Sequence, residues 1–161
     1  VGGRTLVAVL RQLLRGTATP RAQDGSKVVR APKITTAVAR VDWGQPAHTI
    51  EARHRGFGHH SPLWTSVPDV VTADAARDPT LQLLAVSIVG DQPDVLATLE
   101  EPQRGTAVLD KRGKRVLVST GEGAWVQVTR VKAAGKKEMP ATEWWNGLPK
   151  DVRNRGWVLF E

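Results

Sequence analysis

From residue 80 onward the chain is cut into short apolar, β-branched stretches separated by glycine-bearing turns. Leu81–Val89 is the first, and Val95–Leu99 is a second, weaker one. Gly105-Thr-Ala-Val-Leu109 runs into a tight turn at Asp110-Lys-Arg-Gly113, and Arg115-Val-Leu-Val-Ser119 leaves it. After a turn at Gly121-Glu-Gly123 comes Trp125-Val-Gln-Val-Thr-Arg-Val131. Its alternation predicts a strand with Trp125, Gln127, Thr129 and Val131 on one face and Val126, Val128 and Arg130 on the other. Some five short strands, with no helices alternating between them, predict a mainly β fold: a small β-barrel with short helices.

The helical segments are few. Leu6, Val9, Leu10, Leu13 and Leu14 recur at helical spacing, with Arg4, Arg11 and Arg15 among them and Gly16 as a stop. An Arg-rich, acid-poor helix at this position also fits a transit peptide. The ordered look of the following linker favours a folded helix. Gly16, Pro20, Gly25 and Pro32 mark residues 16–35 as extended. A composition shift near Pro32 sets a boundary, giving residues 1–31 as helix and linker, 32–149 as barrel domain and 150–161 as tail. Gln45–His54 reads as a short helix with Pro46 in its first turn, and Thr142–Gly147 as another. Trp157–Phe160 is apolar enough to pack back on the body or on a neighbour. Val1 in place of Met marks the chain as processed, trimmed or incompletely represented.

Composition excludes several chemistries. There is no Cys, hence no disulfide framework, thiolate zinc site or Cys nucleophile. No Gly-x-Ser-x-Gly or phosphate-binding Gly-x-x-x-x-Gly-Lys occurs. His59 and His60 are adjacent and lack a carboxylate at ligand spacing, so no metal site is expected. Asp42, before Trp43, reads as a turn or cap residue and not as a general base. No catalytic set emerges. No apolar run reaches the roughly 20 residues of a membrane span, so no membrane partner is expected. Six Trp, two Phe and no Tyr leave the tryptophans to carry core or stacking. Trp43, Trp64, Trp125 and Trp144 read as core.

The net charge of +7 is unevenly placed. Residues 1–60 hold ten basic and three acidic residues, residues 61–110 two and eight, and residues 111–161 eleven and five. Two basic segments thus flank an acidic one, and if they meet they form a face for a polyanion. The basic candidates are Lys111, Arg112, Lys114 and Arg115 around a hairpin turn, Lys136 and Lys137 after Gly135, and Arg53 and Arg55 at a helix C-terminus. Small barrels often grip oligonucleotide phosphates with such loops.

Ala31-Pro-Lys-Ile34, Ala39-Arg-Val-Asp-Trp43, Pro46-Ala47, Ile50 and Arg55 resemble the opening of the C-terminal domain of methionyl-tRNA formyltransferases. Gly105-Thr-Ala-Val108, Val116-Leu-Val-Ser-Thr-Gly-Glu-Gly123 and Gly135-Lys-Lys-Glu-Met139 continue the resemblance, in order, over about residues 31–147. Gly58-His-His-Ser-Pro-Leu-Trp-Thr65 stands where bacterial members carry a Pro-Trp-Pro-Gly-like loop, and looks like the fungal mitochondrial version. Pro140 stands where members often place a Ser cap. The resemblance implies an oligonucleotide-binding (OB) type barrel that holds the tRNA acceptor arm, with the Gly135-Lys136-Lys137 loop as the matching position. It places the formyl-tetrahydrofolate site and the Asn-His-Asp set in a Rossmann-like domain outside these residues, so no cofactor is expected in this chain. The expected partner is RNA: initiator Met-tRNA in a mitochondrion, bound without catalysis by this chain alone. The alternative is a structural subunit of a mitochondrial ribosome, with ribosomal RNA and proteins as partners.

Overall fold

The computed structural model describes residues 2–31, 33–70, 79–90, 93–99 and 102–161. Val1 and Pro32, the unusual start and the expected boundary, lie outside them. The chain divides into two units, Val1–Lys33 and Ile34–Glu161. In the first, helix α1 (Gly2–Leu14) ends at a left-handed Gly16 and buries none of its residues. A single 3-10 turn, Gly25–Lys27, follows; the Asp24 carboxylate caps it by accepting from the Ser26 backbone N–H at 3.0 Å.

The second unit contains α2 (Thr36–Ala39), α3 (Ala47–Phe57), β1 (Leu63–Ser66), β2 (Thr80–Ile88), β3 (Thr106–Asp110), β4 (Arg115–Ser119), β5 (Trp125–Ala133), β6 (Met139–Pro140), α4 (Ala141–Asn146), α5 (Lys150–Arg155) and β7 (Trp157–Leu159). The strands pair antiparallel in the order β1-β2-β5-β4-β3-β7, with β6 added to the far part of β5. The two ends of this sheet meet. Ser66 donates its N–H to the Glu161 carbonyl at 2.8 Å, and Glu161 returns the bond at 2.9 Å. Joining β1 to the chain leaving β7 closes the barrel and satisfies backbone groups that an open edge would leave unpaired. Residues 150–161 thus lie within this unit, where they supply α5, β7 and a buried Phe160.

Inward valines and leucines from β1, β2, β4 and β5 fill the barrel, with Val158 of β7. α3 adds Ala47 and Ile50, and α4 adds Ala141, Trp144 and Trp145. Phe160 lies between Trp43 and Trp144, 5.8 Å from each ring centroid. Trp43 donates its indole N–H to the Thr65 hydroxyl at 3.0 Å, and that hydroxyl donates to the Glu161 carbonyl at 2.9 Å. A fully buried Thr65 therefore couples the segment before α3 to the closure of the barrel. Gly105 stands where the chain passes Phe160. Its φ is +84°, and a Cβ there would lie 2.1 Å from the Phe160 carbonyl oxygen. Only glycine meets both conditions.

Strict alternation fails on the two longest strands. Val126 and Val128 of β5 point inward, and so does Val131, three residues on. The pairing explains this: Val128 faces Val86 but Arg130 faces Ala85, which leaves Thr129 as an extra residue. Leu84 is the matching extra residue on β2, between Leu83 and Ala85. These β-bulges shift the phase of both strands. The result corrects the expected grouping of Val131 with Trp125 and Gln127.

Two other expectations change. Val95–Leu99 is not a strand. Pro93, extended and without an N–H, starts a 3-10 turn over Asp94–Thr98, and the apolar pair Val95-Leu96 lacks the alternation that would hold a sheet face. Among the tryptophans, Trp43, Trp144 and Trp145 are core, whereas Trp64 and Trp125 are half-buried. Trp64 donates its N–H to the Thr36 carbonyl at 2.7 Å, and Trp125 lines a surface cavity with Ile88 and Leu96.

Thr65→Val keeps the shape and removes the hydroxyl. It leaves the Trp43 indole N–H unsatisfied, so stability in a urea titration should fall by about 1–3 kcal/mol. Thr65→Ser, which retains the oxygen, should recover most of that loss.

Candidate nucleic-acid interface

The β3–β4 hairpin is organised by one carboxylate. Asp110 is buried at the end of β3. Its Oδ1 accepts from the Gly113 N–H at 3.0 Å, and its Oδ2 accepts from Arg115 Nε at 2.8 Å. Arg115 then donates to the Gln127 side-chain oxygen, and Gln127 Nε2 donates to Ser87 Oγ at 2.7 Å. A polar ladder thus runs across β3, β4, β5 and β2. Burial works to raise the Asp110 pKa. The Gly113 N–H and the Arg115 guanidinium outweigh it and bring the carboxyl below its ordinary value. Arg115 is thereby committed to the barrel wall.

The hairpin tip carries Lys111, Arg112 and Lys114, all exposed. A Cβ on Gly113 would lie 2.4 Å from Asp110 Oδ2, so the glycine is needed for close approach. The left-handed position falls instead on Lys114, with φ +51°. Arg112 reaches Asp94 at 2.9 Å, an ion pair open to water on both sides and hence weak.

β5 continues past this hairpin. Val128 pairs with Val116, next to the start of β4, and the strand runs on to Ala133, roughly 17 Å at about 3.3 Å per residue. The bulge at Thr129 returns Val131 to the core, and Arg130 and Lys132 are exposed on either side of it. Arg130 pairs with Glu138 at 2.7 Å, half-exposed. The turn after β5 closes with the Lys136 N–H on the Ala133 carbonyl at 3.0 Å and a left-handed Gly135. It presents Lys136 and Lys137, both exposed. Among the described residues, the side chains of Lys111, Lys114, Lys132, Lys136 and Lys137 form no ion pair. Arg130 and Lys132 are exposed on β5 just before this turn, although the sequence pattern does not single them out. Strict alternation groups Arg130 with core valines, and the legible signal is the three-residue spacing from Val128 to Val131.

Arg53 and Arg55 sit apart, on α3. Arg53 donates to the carbonyls of Val38 and Arg40, tying α2 to α3. Arg55 pairs with Glu51 one turn back at 3.3 Å. Asp42 accepts from the Gln45 side chain at 3.0 Å and from the Gly44 N–H at 2.9 Å; both bonds lower its pKa. It is a turn residue. The His59 and His60 rings lie against each other, 4.1 Å between centroids and tilted by 44°. No group of three or more His, Asp or Glu that could hold a metal occurs among the described residues. No helix there is long and apolar enough to cross a membrane. α4 starts directly after Pro140, which offers no side-chain cap.

A closed antiparallel barrel with exposed lysines on β5, in the turn after it and in the β3–β4 turn is a small β-barrel module carrying cationic loops. Residues 33–149 match the family model described as the formyl transferase C-terminal domain, and the chain belongs to that family. It is 36% identical over 160 residues to the methionyl-tRNA formyltransferase of Paenarthrobacter aurescens, covering 99% of this chain and 44% of that protein. It is 33% identical over 147 residues to the enzyme of that name from Salinispora tropica, covering 91% and 42%. The chain thus spans less than half the length of these relatives. Both are bacterial and lend no support to a fungal mitochondrial origin. Among solved structures, HypX from Aquifex aeolicus superposes with a TM-score of 0.48 at 18% identity, over 91% of this chain and 24% of that one.

Because the folded-state pKa of Asp110 is lowered, its contribution is complete above the ordinary carboxylate pKa and is lost as pH falls through the lowered value. Asp110→Asn should therefore cost about 1–3 kcal/mol near neutral pH and flatten the loss of stability on acidification, read from urea titrations across that range. Lys114→Gly relieves a left-handed side chain, and should raise the melting temperature with a gain of about 1 kcal/mol.

Proposed function

We propose that this chain is an RNA-binding module that holds the acceptor arm of a tRNA along its β5 edge. The observation that carries this reading is the run of lysines without an ion pair among the described residues: Lys132, Lys136 and Lys137, continued by Lys111 and Lys114 on the neighbouring hairpin. Unpaired ammonium groups are the ones free to replace the counterions of a phosphate backbone. Arg112, Arg115 and Arg130 already have carboxylate or amide partners. Both relatives are methionyl-tRNA formyltransferases, and tRNA is the polyanion their name carries.

Formyl transfer enters this proposal only as work shared with a catalytic domain. The relatives are more than twice the length matched, and the resemblance assigns the formyl-tetrahydrofolate site to the other domain. This chain's part is affinity and orientation. Phosphate contacts position a nucleic acid without reading its sequence, so the edge should hold many tRNAs alike.

Binding to an initiator tRNA transcript should weaken steeply with salt, with log K falling by about 0.7–0.9 per lysine contact for each unit of log salt. Lys136→Ala with Lys137→Ala should reduce that slope by about 1.4–1.8 and weaken binding to initiator and elongator tRNAs equally. Arg53→Ala should change stability and leave the slope unaltered. Undetectable binding at about 50 mM salt would overturn the proposal.

A further inference from the structure

A second feature lies beside the lysine turn. Leu81 of β2, Met139 of β6, and Trp144 and Leu148 line an apolar groove, with Lys136 and Glu143 also on its wall. The groove encloses about 540 Å3, within the ~300–1,000 Å3 of small-ligand sites. Trp144, on its wall, stands edge-on to both Trp145 and Phe160.

The charge pattern selects the occupant. A purely apolar side chain would use the floor and leave a cation and a carboxylate idle. A nucleotide uses all three. Its flat base covers apolar surface, its phosphate meets an ammonium group, and its exocyclic amine donates to a carboxylate. Lys136 and Glu143 are both exposed, and neither forms an ion pair among the described residues. Lys137, next in the turn, is exposed as well.

We propose that this groove receives the base of one unpaired nucleotide of the bound RNA, with its phosphate on Lys136. The inference rests on the RNA-binding reading above and adds a position at which base identity is sensed. Glu143 as a carboxylate only accepts hydrogen bonds. It therefore favours A, C and G, each of which carries an exocyclic amine, and discriminates most clearly between C and U, whose N4 amine and O4 carbonyl stand at the same position of the ring.

The test uses the full chain and two RNAs: a blunt hairpin duplex, and the same duplex with a four-nucleotide single-stranded cytidine extension. Fluorescence anisotropy should show the extended RNA bound about tenfold more tightly, the scale of one base on an apolar platform. Ala134 is exposed and lines the groove, so Ala134→Trp fills it without entering the core. That variant should bind the extended RNA only as well as the blunt one, with blunt binding unchanged as the control for folding. Replacing the cytidines by uridines should remove several-fold of the gain, and Glu143→Gln, which can also donate, should erase that difference. If the extension adds nothing, or if Ala134→Trp weakens both RNAs alike, the groove inference falls while the lysine edge stands. If neither RNA binds at low salt, both fall.

Discussion

The barrel is shut at one seam, where a buried hydroxyl reinforces two backbone bonds. Thr65 accepts from Trp43 and donates to Glu161, beside the two backbone bonds between Ser66 and Glu161. A sheet of this order has two edges, and a small barrel is stable only when they are joined. Thr65 and Glu161 are 96 apart in sequence, so the entropy of closing that loop opposes the contact. Burial of Phe160 between Trp43 and Trp144 offsets it. Gly105 is the concession that lets the final segment come so close.

Four arginines of the barrel unit are fastened: Arg115 in the ladder, Arg53 on carbonyls, Arg130 on Glu138, and Arg155 on Asp69 while its guanidinium lies 4.0 Å over the Trp157 ring. The lysines of the β5 edge and hairpin are left in water. The chemistry fits this division. A planar guanidinium satisfies several acceptors at once and suits a structural joint, whereas an ammonium on a flexible stem is a mobile point charge. The joints thereby position the surface on which the mobile charges stand.

Most of the barrel is legible in the sequence because its strands carry β-branched residues between glycine turns. Arg115–Ser119 falls where expected, and the helix after Pro140 is one residue from its expected start. Short elements are harder. Leu63–Ser66 has four residues, and only pairing with β2 makes it a strand. The same holds for Met139–Pro140, which pairs with Arg130 and Val131. The basic residues are all visible as charges, but their partners are not. Nothing local says that Arg115 meets Asp110 and Gln127 while Lys136 stays in water, because those meetings are made by strand register. Arg130 and Lys132 are hidden for the same reason, behind a bulge that depends on a matching irregularity in β2.

That bulge also separates two kinds of constraint on one strand. Before Thr129, β5 is a pillar of the core, and its inward valines are constrained by packing density. After it, exposed side chains flank a single anchor, Val131, and charge can be gained, lost or exchanged there at little structural cost. Thr129 works as a joint between a fixed beam and an adjustable rail. Were Thr129 held in regular register instead of bulging, inside and outside would exchange along the rest of the strand, and Arg130 and Lys132 would turn toward the core in place of Val131.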